Sequence, residues 1–131
     1  MNINPFDQPD VSFSKMNTKM ILSEHEVSGE LPKDDFLLSF KDLLAEIREG
    51  YYLAIMPYVH QTPEIDSLLL ELSTKIKKKY RIAVTICYGT QFLHSVGQLH
   101  KGGPKEALFL QLTANHDDVI QVPGEYFTFG F

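Results

Sequence analysis

The spacing of apolar residues changes along this chain and divides it into two parts. From residue 51 onward, near-continuous apolar runs occur at residues 51–58, 82–88 and 107–113. Such runs are typical of strands that are covered on both faces, as in a parallel sheet. After the first run, Thr62-Pro63-Glu64 supplies an N-cap, a first-turn proline and a first-turn acid, and apolar residues then recur at helical spacing. We therefore expect a helix that begins at Pro63.

A second helix is expected from Thr90 to about His100, because Gly102-Gly103-Pro104 would stop it. Strands and helices then alternate as βαβαβ, an order that favours a parallel sheet with right-handed helical crossovers on its faces. The predicted fold class is α/β, a three-layer sandwich with a mainly parallel sheet. Two further short strands, at 119–122 and 126–129, flank a predicted turn at residues 123–125.

The first fifty residues predict two helices instead. The earlier helix runs from Pro9 to about Ser23, and the later one from near Asp34 to Gly50. The apolar side of the earlier helix carries Phe13, Met16 and Met20. We therefore expect a single α/β domain over residues 1–131, with a helical segment at 1–50 and a βαβαβ core plus short carboxyl-terminal strands at 51–131.

Composition narrows the range of partners. The chain has 131 residues, with 12 Lys+Arg against 17 Asp+Glu and a net charge of −5. An acidic chain lacks the electrostatic footprint that a phosphate backbone requires, so we expect no nucleic-acid partner. The single cysteine, Cys87, suits a reducing compartment, which predicts a cytoplasmic location. No apolar stretch approaches the roughly 18 residues of a membrane span, so we expect no membrane partner either.

Polar groups gather on one side of the first predicted helix. Gln8 at the helix entrance, Ser12, and Lys15 seven positions after Gln8 share a face, because two turns take about 7 residues. They would present an amide, a hydroxyl and an ammonium in a row about 10 Å long. Periodicity alone leaves two interpretations open: a face that carries chemistry, or the solvated side of a capped surface helix.

This segment resembles the second signature of the phosphoglucose isomerases, in which Phe-Asp-Gln is followed by a lysine seven residues after the glutamine. The matching residues are Phe6, Asp7, Gln8, Val11 and Lys15. The resemblance implies that Lys15 is an active-site residue for sugar ring opening and that Gln8 contacts the substrate. The chain departs from the signature at Asp10, where the family prefers a small residue, and at Ser12, where glutamate is usual. The charge around Lys15 is therefore expected to differ from that in the family.

A second resemblance covers most of the remaining chain. Residues 88–104, 109–113 and 123–130 are similar to the carboxyl-terminal portion of transaldolase/phosphoglucose isomerase fusion proteins. The longest matching string is Gly97-Gln98-Leu99-His100-Lys101-Gly102-Gly103-Pro104. In the fusion proteins more chain follows the final Phe-Gly step, so we expect this chain to stop early, with an incomplete sheet edge.

Within that string, His94, Gln98 and Lys101 lie at i, i+4 and i+7 on one face of the predicted helix. They could form a secondary site for an anionic sugar phosphate, beside the backbone N–H groups of Gly89 and Thr90. Alternatively, the histidine and the lysine satisfy the last helical carbonyls before the Gly-Gly stop. His94 and His100 lack the spacing of metal ligands, and the chain has no Walker loop or dinucleotide glycine fingerprint, so no metal and no cofactor are expected.

The expected function is aldose–ketose isomerisation of glucose 6-phosphate and fructose 6-phosphate, a reaction of glycolysis and gluconeogenesis. It needs an acid or base for ring opening, a carboxylate that moves the proton between C1 and C2, and a phosphate site. The resemblance places the carboxylate and the phosphate loops in upstream sugar-isomerase domains, so we expect those domains or a subunit as partner and an inactive isolated chain. The alternative is a non-catalytic module that binds a sugar phosphate or docks onto a partner through the Lys15 and Lys101 regions.

Overall fold

The computed structural model describes residues 9–29, 38–89, 96–114 and 120–125. Its elements, in chain order, are α1 (Pro9–Ser28), α2 (Phe40–Ala45), β1 (Tyr52–Tyr58), α3 (Pro63–Tyr80), β2 (Ala83–Ile86), α4 (Gly97–Gly102) and β3 (Ala107–Thr113). The strands and helices from β1 onward alternate as the apolar runs predict. The α/β class is therefore confirmed.

The strands form a parallel sheet in the order β2-β1-β3. Leu53 of β1 pairs with Val84 on one side and with Leu108 on the other. Regular β1–β2 pairing ends at Ile55 and Ile86, two residues before Pro57, which has no N–H to donate. The contact continues more loosely, because the N–H groups of Cys87 and Gly89 donate to the carbonyls of Ile55 (3.1 Å) and Pro57 (2.9 Å).

The two faces of β1 meet different layers. Leu53 and Ile55 are fully buried in a core that they share with Leu69 and Ile76 of α3 and Leu43 of α2. On the other face, Tyr52 of β1 and Phe109 of β3 contact His100 of α4, and α4 packs in turn against α1. The sheet therefore lies between α2 and α3 on one side and α1 and α4 on the other.

Helix α3 confirms its predicted start and has defined caps at both ends. The Thr62 hydroxyl accepts a hydrogen bond from the Ile65 N–H at 3.3 Å, which satisfies one of the unpaired donors of the first turn. At the other end, Arg81 adopts a left-handed conformation with φ of 57° and donates its N–H to the Lys77 carbonyl. The lysines of the last turn lie where the helix dipole favours positive charge.

Two of the predicted helix ends are wrong. Helix α1 continues five residues past Ser23 to Ser28, and α2 ends at Ala45 rather than Gly50. At the end of α2 the Glu46 N–H donates to the Asp42 and Leu43 carbonyls, and the exposed Arg48 Nη1 donates to the Ala45 carbonyl at 2.6 Å, which satisfies an acceptor that the helix end leaves without a helical partner. The predicted start of this helix, at Asp34, lies outside the described residues.

The predicted strand at 82–88 is shorter in the structure, where β2 covers Ala83–Ile86 and leaves Cys87 half-buried beyond its end. The predicted turn at residues 123–125 is present, since the Glu125 N–H donates to the Val122 carbonyl at 3.1 Å and Gly124 has φ of +84°. A proline followed by a residue with positive φ is the pattern of a type II turn. The strand predicted at 119–122 is not formed over its described residues 120–122, where Gln121 makes only an isolated bridge. The strand predicted at 126–129 lies outside the described residues. Among the described helices, none has the length and apolar character needed to cross a membrane.

Leu53→Ala is expected to lower the free energy of unfolding by about 2–5 kcal/mol, because truncating a buried side chain removes its burial and leaves a cavity. Leu70→Ala, at a position of α3 that is 63% exposed, is the matched control and should change this free energy by less than about 0.5 kcal/mol. Urea denaturation followed by circular dichroism measures both values. Equal losses for the two variants would contradict the placement of β1 at the centre of the core.

Candidate functional site

A cavity of about 690 Å³ lies between α1, α4 and the sheet face opposite α3. We call it the α1–α4 cavity. Its walls are formed by Ser14, Lys15, Thr18 and Lys19 of α1, Gly97, His100 and Lys101 of α4, Met56 and Tyr58 of β1, and Phe109 of β3. Each of these four elements contributes polar or aromatic residues to the wall, so the cavity combines charge with apolar surface.

The sheet topology explains why the cavity lies where it does. The chain leaves β1 through α3 to reach β2 on one side, and then returns through α4 to reach β3 on the other side of β1. Consecutive connections therefore cover opposite faces, and the gap between β1 and β3 is the point where the strand order reverses. In open parallel sheets, ligands bind outside the carboxyl ends of the strands at such a point. Met56 and Tyr58 belong to the carboxyl-terminal end of β1 and line the cavity there.

The charged groups of the α1–α4 cavity are all cationic or titrate to a cation. Lys15 and Lys19 lie one turn apart on α1, and Lys101 joins them from α4. The chain as a whole carries a net charge of −5, so these three lysines form a positive site within an acidic protein. Clefts lined by charge of one sign concentrate ligands of the opposite sign. The surface that lines the cavity is mostly apolar, so the three lysines place positive charge beside a largely apolar space, which suits an anion that also carries apolar surface.

Two aromatic rings supply the apolar surface. The ring of Tyr58 lies against Gly89, where an added Cβ would come within 2.5 Å of ring atom Cδ1. Glycine at this position therefore leaves room for the ring, and any larger side chain would displace it. Burial raises the pKa of Tyr58, which keeps its hydroxyl protonated and able to donate a hydrogen bond. Phe109 forms the second ring and remains partly exposed.

His100 connects the cavity wall to the central strand. The Tyr52 hydroxyl lies 3.2 Å from His100 Nδ1, and the two rings are stacked with their centroids 6.1 Å apart. Phe109 meets the imidazole edge-to-face at 5.3 Å. Burial lowers the pKa of His100 and raises that of Tyr52, which favours a neutral imidazole and a protonated phenol.

The structure brings together two residues that the sequence places in separate motifs. Lys15 is exposed on α1, as expected, and lines the same cavity as Lys101. Gln98 does not share that cavity wall, because its Nε2 donates instead to the Asp10 carboxylate of α1. The predicted face is therefore divided between Gln98 and Lys101, and α4 extends from Gly97 to Gly102 rather than from Thr90 to about His100. His94 and the predicted substrate residue Gln8 lie outside the described residues.

Sequence reasoning missed several wall residues of the cavity. Lys19 follows Lys15 by four residues, and Thr18 follows Ser14 by four. Helical spacing could therefore have placed Lys19, Ser14 and Thr18 on the same side of α1 as Lys15. Tyr58 and Phe109 carry no such local signal, because only the pairing of β1 with β3 brings their strands together. The sequence carries no signal for the ring contacts of His100 with Tyr52 and Phe109, which also depend on the tertiary fold. Among the described residues, no group of three or more His, Cys, Asp or Glu side chains could hold a metal ion.

No protein-family model, curated protein or solved structure matches this chain. The comparisons therefore add no function to the geometry described above.

The pKa of His100 in the folded chain is expected to lie below about 6.5, the ordinary histidine value, because burial disfavours the imidazolium. At pH values between the pKa of His100 in the folded chain and its ordinary pKa in the unfolded chain, the unfolded chain binds more protons than the folded chain. The contribution of His100 to the free energy of unfolding is thus fully present above a pH of about 6.5. It is lost as the pH falls through the pKa of His100 in the folded chain.

An NMR titration of the His100 ring protons measures this pKa, with His100→Gln identifying the resonance. The same variant should flatten the corresponding part of the curve of unfolding free energy against pH. A midpoint above the ordinary histidine value would contradict the assignment of a half-buried, neutral imidazole.

Proposed function

We propose that this chain is the carboxyl-terminal part of a glucose-6-phosphate isomerase and binds a sugar phosphate in the α1–α4 cavity. The observation that carries the proposal is the meeting of Lys15 and Lys101 in one cavity. These residues belong to the two motifs that resemble isomerase sequences, and they are 86 positions apart in the chain. Because Lys15 and Lys101 line the same cavity, one ligand bound there could contact both motifs.

The chemistry of the walls supports a phosphorylated sugar as that ligand. Lysine ammonium groups bind phosphate oxygens as point charges, and three lysines contribute to the wall of this cavity. The hydroxyls of Ser14 and Tyr58 can exchange hydrogen bonds with sugar hydroxyls. The rings of Tyr58 and Phe109 offer flat surfaces against which the C–H bonds of a sugar can pack. The volume of about 690 Å³ lies within the range of small-molecule sites.

In this proposal Lys15 carries the inherited catalytic role. Its ammonium protonates the ring oxygen O5 as the C1–O5 bond breaks, while the C1 hydroxyl loses its proton to water and its oxygen forms the C1 carbonyl, which is general acid catalysis of ring opening. Movement of the proton between C1 and C2 then requires a carboxylate. Among the described residues that line the cavity, none is an aspartate or a glutamate. We therefore assign the carboxylate to a partner, the sugar-isomerase domains or subunit to which the resemblance points.

The same composition of the cavity wall favours a second candidate function. A cationic cavity without a carboxylate in its described wall is sufficient for binding, so the chain could serve as a non-catalytic module that holds a sugar phosphate or docks onto a partner subunit. Turnover in the presence of the partner domains separates the two functions. For either function we propose a cytoplasmic location, which the single cysteine supports.

Lys101→Ala is expected to weaken binding of glucose 6-phosphate to the isolated chain by about tenfold or more, because a hydrogen bond to a charged group contributes about 1.5–3 kcal/mol. Lys78→Ala on α3 removes the same charge outside the cavity wall and is the matched control, with less than about a twofold change expected from a distant charge at physiological salt. Titration calorimetry measures both dissociation constants. Equal effects of the two substitutions would indicate binding through net charge alone and would contradict a cavity site.

Lys15→Ala is expected to reduce kcat by about 10²-fold in a complex of this chain with active sugar-isomerase domains, the usual scale for removing a positioned acid. Lys78→Ala is again the control and should leave kcat unchanged. Without the partner domains, the chain should not reach the 10 s⁻¹ or so that is typical of enzymes. A coupled assay for fructose 6-phosphate measures both quantities. Loss of activity in the complex with Lys101→Ala but not with Lys15→Ala would show that the catalytic role has been given to the wrong lysine.

A further inference from the structure

Asp10 and Gln98 form a polar contact between the two helices that carry the lysines. Gln98 Nε2 of α4 donates a hydrogen bond to Asp10 Oδ2 in the first turn of α1. One turn further along α4, Gly102 faces the same carboxylate, and a Cβ at Gly102 would collide with Asp10. The Asp10 carboxylate therefore lies against two successive turns of α4. Gln98 holds it by a hydrogen bond at the first turn, and the lack of a side chain at Gly102 leaves space for it at the second.

This contact joins the same two helices that form two walls of the α1–α4 cavity. Asp10 and Lys15 lie on one continuous helix, and Lys101 lies between Gln98 and Gly102 in the sequence of α4. Hydrogen bonds at each turn make a helix rigid, so fixing one turn also limits where residues further along the helix lie. A contact that fixes α4 against the first turn of α1 thus also limits where Lys101 lies relative to Lys15 and Lys19.

The negative charge of Asp10 would by itself oppose an anionic ligand in the neighbouring cavity. Two features reduce this cost: the amide of Gln98 donates to the carboxylate, and the first turn of α1 presents the positive end of the helix dipole to it. A carboxylate whose charge is engaged in this way can act as a structural acceptor close to an anion site.

We propose that Asp10 and Gln98 are positioning residues of the α1–α4 cavity, which hold Lys101 against Lys15 and Lys19 for the phosphate of the ligand. This inference rests on the proposed function and deepens it. It also gives a physical reason for Asp10, which stands where the isomerase signature prefers a small residue. The Gln98 amide of α4 donates a hydrogen bond to this aspartate, and the glycine at position 102 leaves room for its side chain.

Two substitutions at Asp10 separate the hydrogen bond from the charge. Asp10→Ala and Asp10→Asn both remove one negative charge, but the asparagine oxygen can still accept the hydrogen bond from Gln98. If Asp10 acts by position, the alanine variant binds glucose 6-phosphate about tenfold more weakly than the asparagine variant. If it acts only through its charge, the two variants bind equally.

The experiment measures the dissociation constant of glucose 6-phosphate for the wild-type full-length chain, Asp10→Ala, Asp10→Asn, Gln98→Ala and the double alanine variant by titration calorimetry. The expected result is weaker binding for each alanine variant, no further loss in the double variant, and wild-type or tighter binding for Asp10→Asn. Non-additivity of this kind is the signature of two residues that act through one contact. If Asp10→Ala does not fold, Gln98→Ala and Asp10→Asn still give the comparison.

Equal binding by Asp10→Ala and Asp10→Asn, or unchanged binding by Gln98→Ala, would overturn the positioning role while leaving the proposed function intact. A wild-type chain that does not bind glucose 6-phosphate would overturn the proposed function, and the positioning role with it. The two failures are therefore distinguishable from the wild-type titration alone.

Discussion

The central strand β1 is paired with a parallel strand on each side, and this double pairing fixes both helical layers of the molecule. Alternate residues of β1 face opposite sides of the sheet. Leu53 and Ile55 point into the core with α3, whereas Met56 and Tyr58 line the α1–α4 cavity. Because one strand supplies both surfaces, a change in its register would expose the core and remove the cavity floor together.

The layer formed by α1 and α4 is less tightly sealed than the layer formed by α3. Helix α1 turns Ser14, Lys15 and Lys19 toward the cavity, and its predicted apolar residues Phe13, Met16 and Met20 are each more than half exposed. Val11 is the buried residue of this helix. Its position therefore depends on polar contacts such as that between Asp10 and Gln98 as well as on burial. A helix held in this way can present ammonium groups to a ligand without burying them in the core.

Much of the fold could be predicted from the sequence because its signals are local. The apolar runs of the strands and the Thr62-Pro63 cap of α3 depend on neighbouring residues, and they predicted those elements closely. The end of α2 could not be predicted from periodicity, because the apolar spacing continues to Ile47 although the helix ends at Ala45. The candidate site was predicted only in part for a similar reason. Lys15 and Lys101 were identified within their motifs, but their convergence, and the diversion of Gln98 to Asp10, depend on how two distant helices pack.

The central claim is that an anionic sugar binds in the α1–α4 cavity, and NMR mapping of backbone and side-chain resonances during a titration with glucose 6-phosphate tests it most directly. The account predicts saturable shifts that centre on Lys15, Lys19, His100, Lys101 and Phe109, while residues of the opposite face, such as Leu69 and Ile76 of α3, remain unchanged. Shifts that centre on the lysines at the end of α3, or no saturable shifts at all, would contradict it.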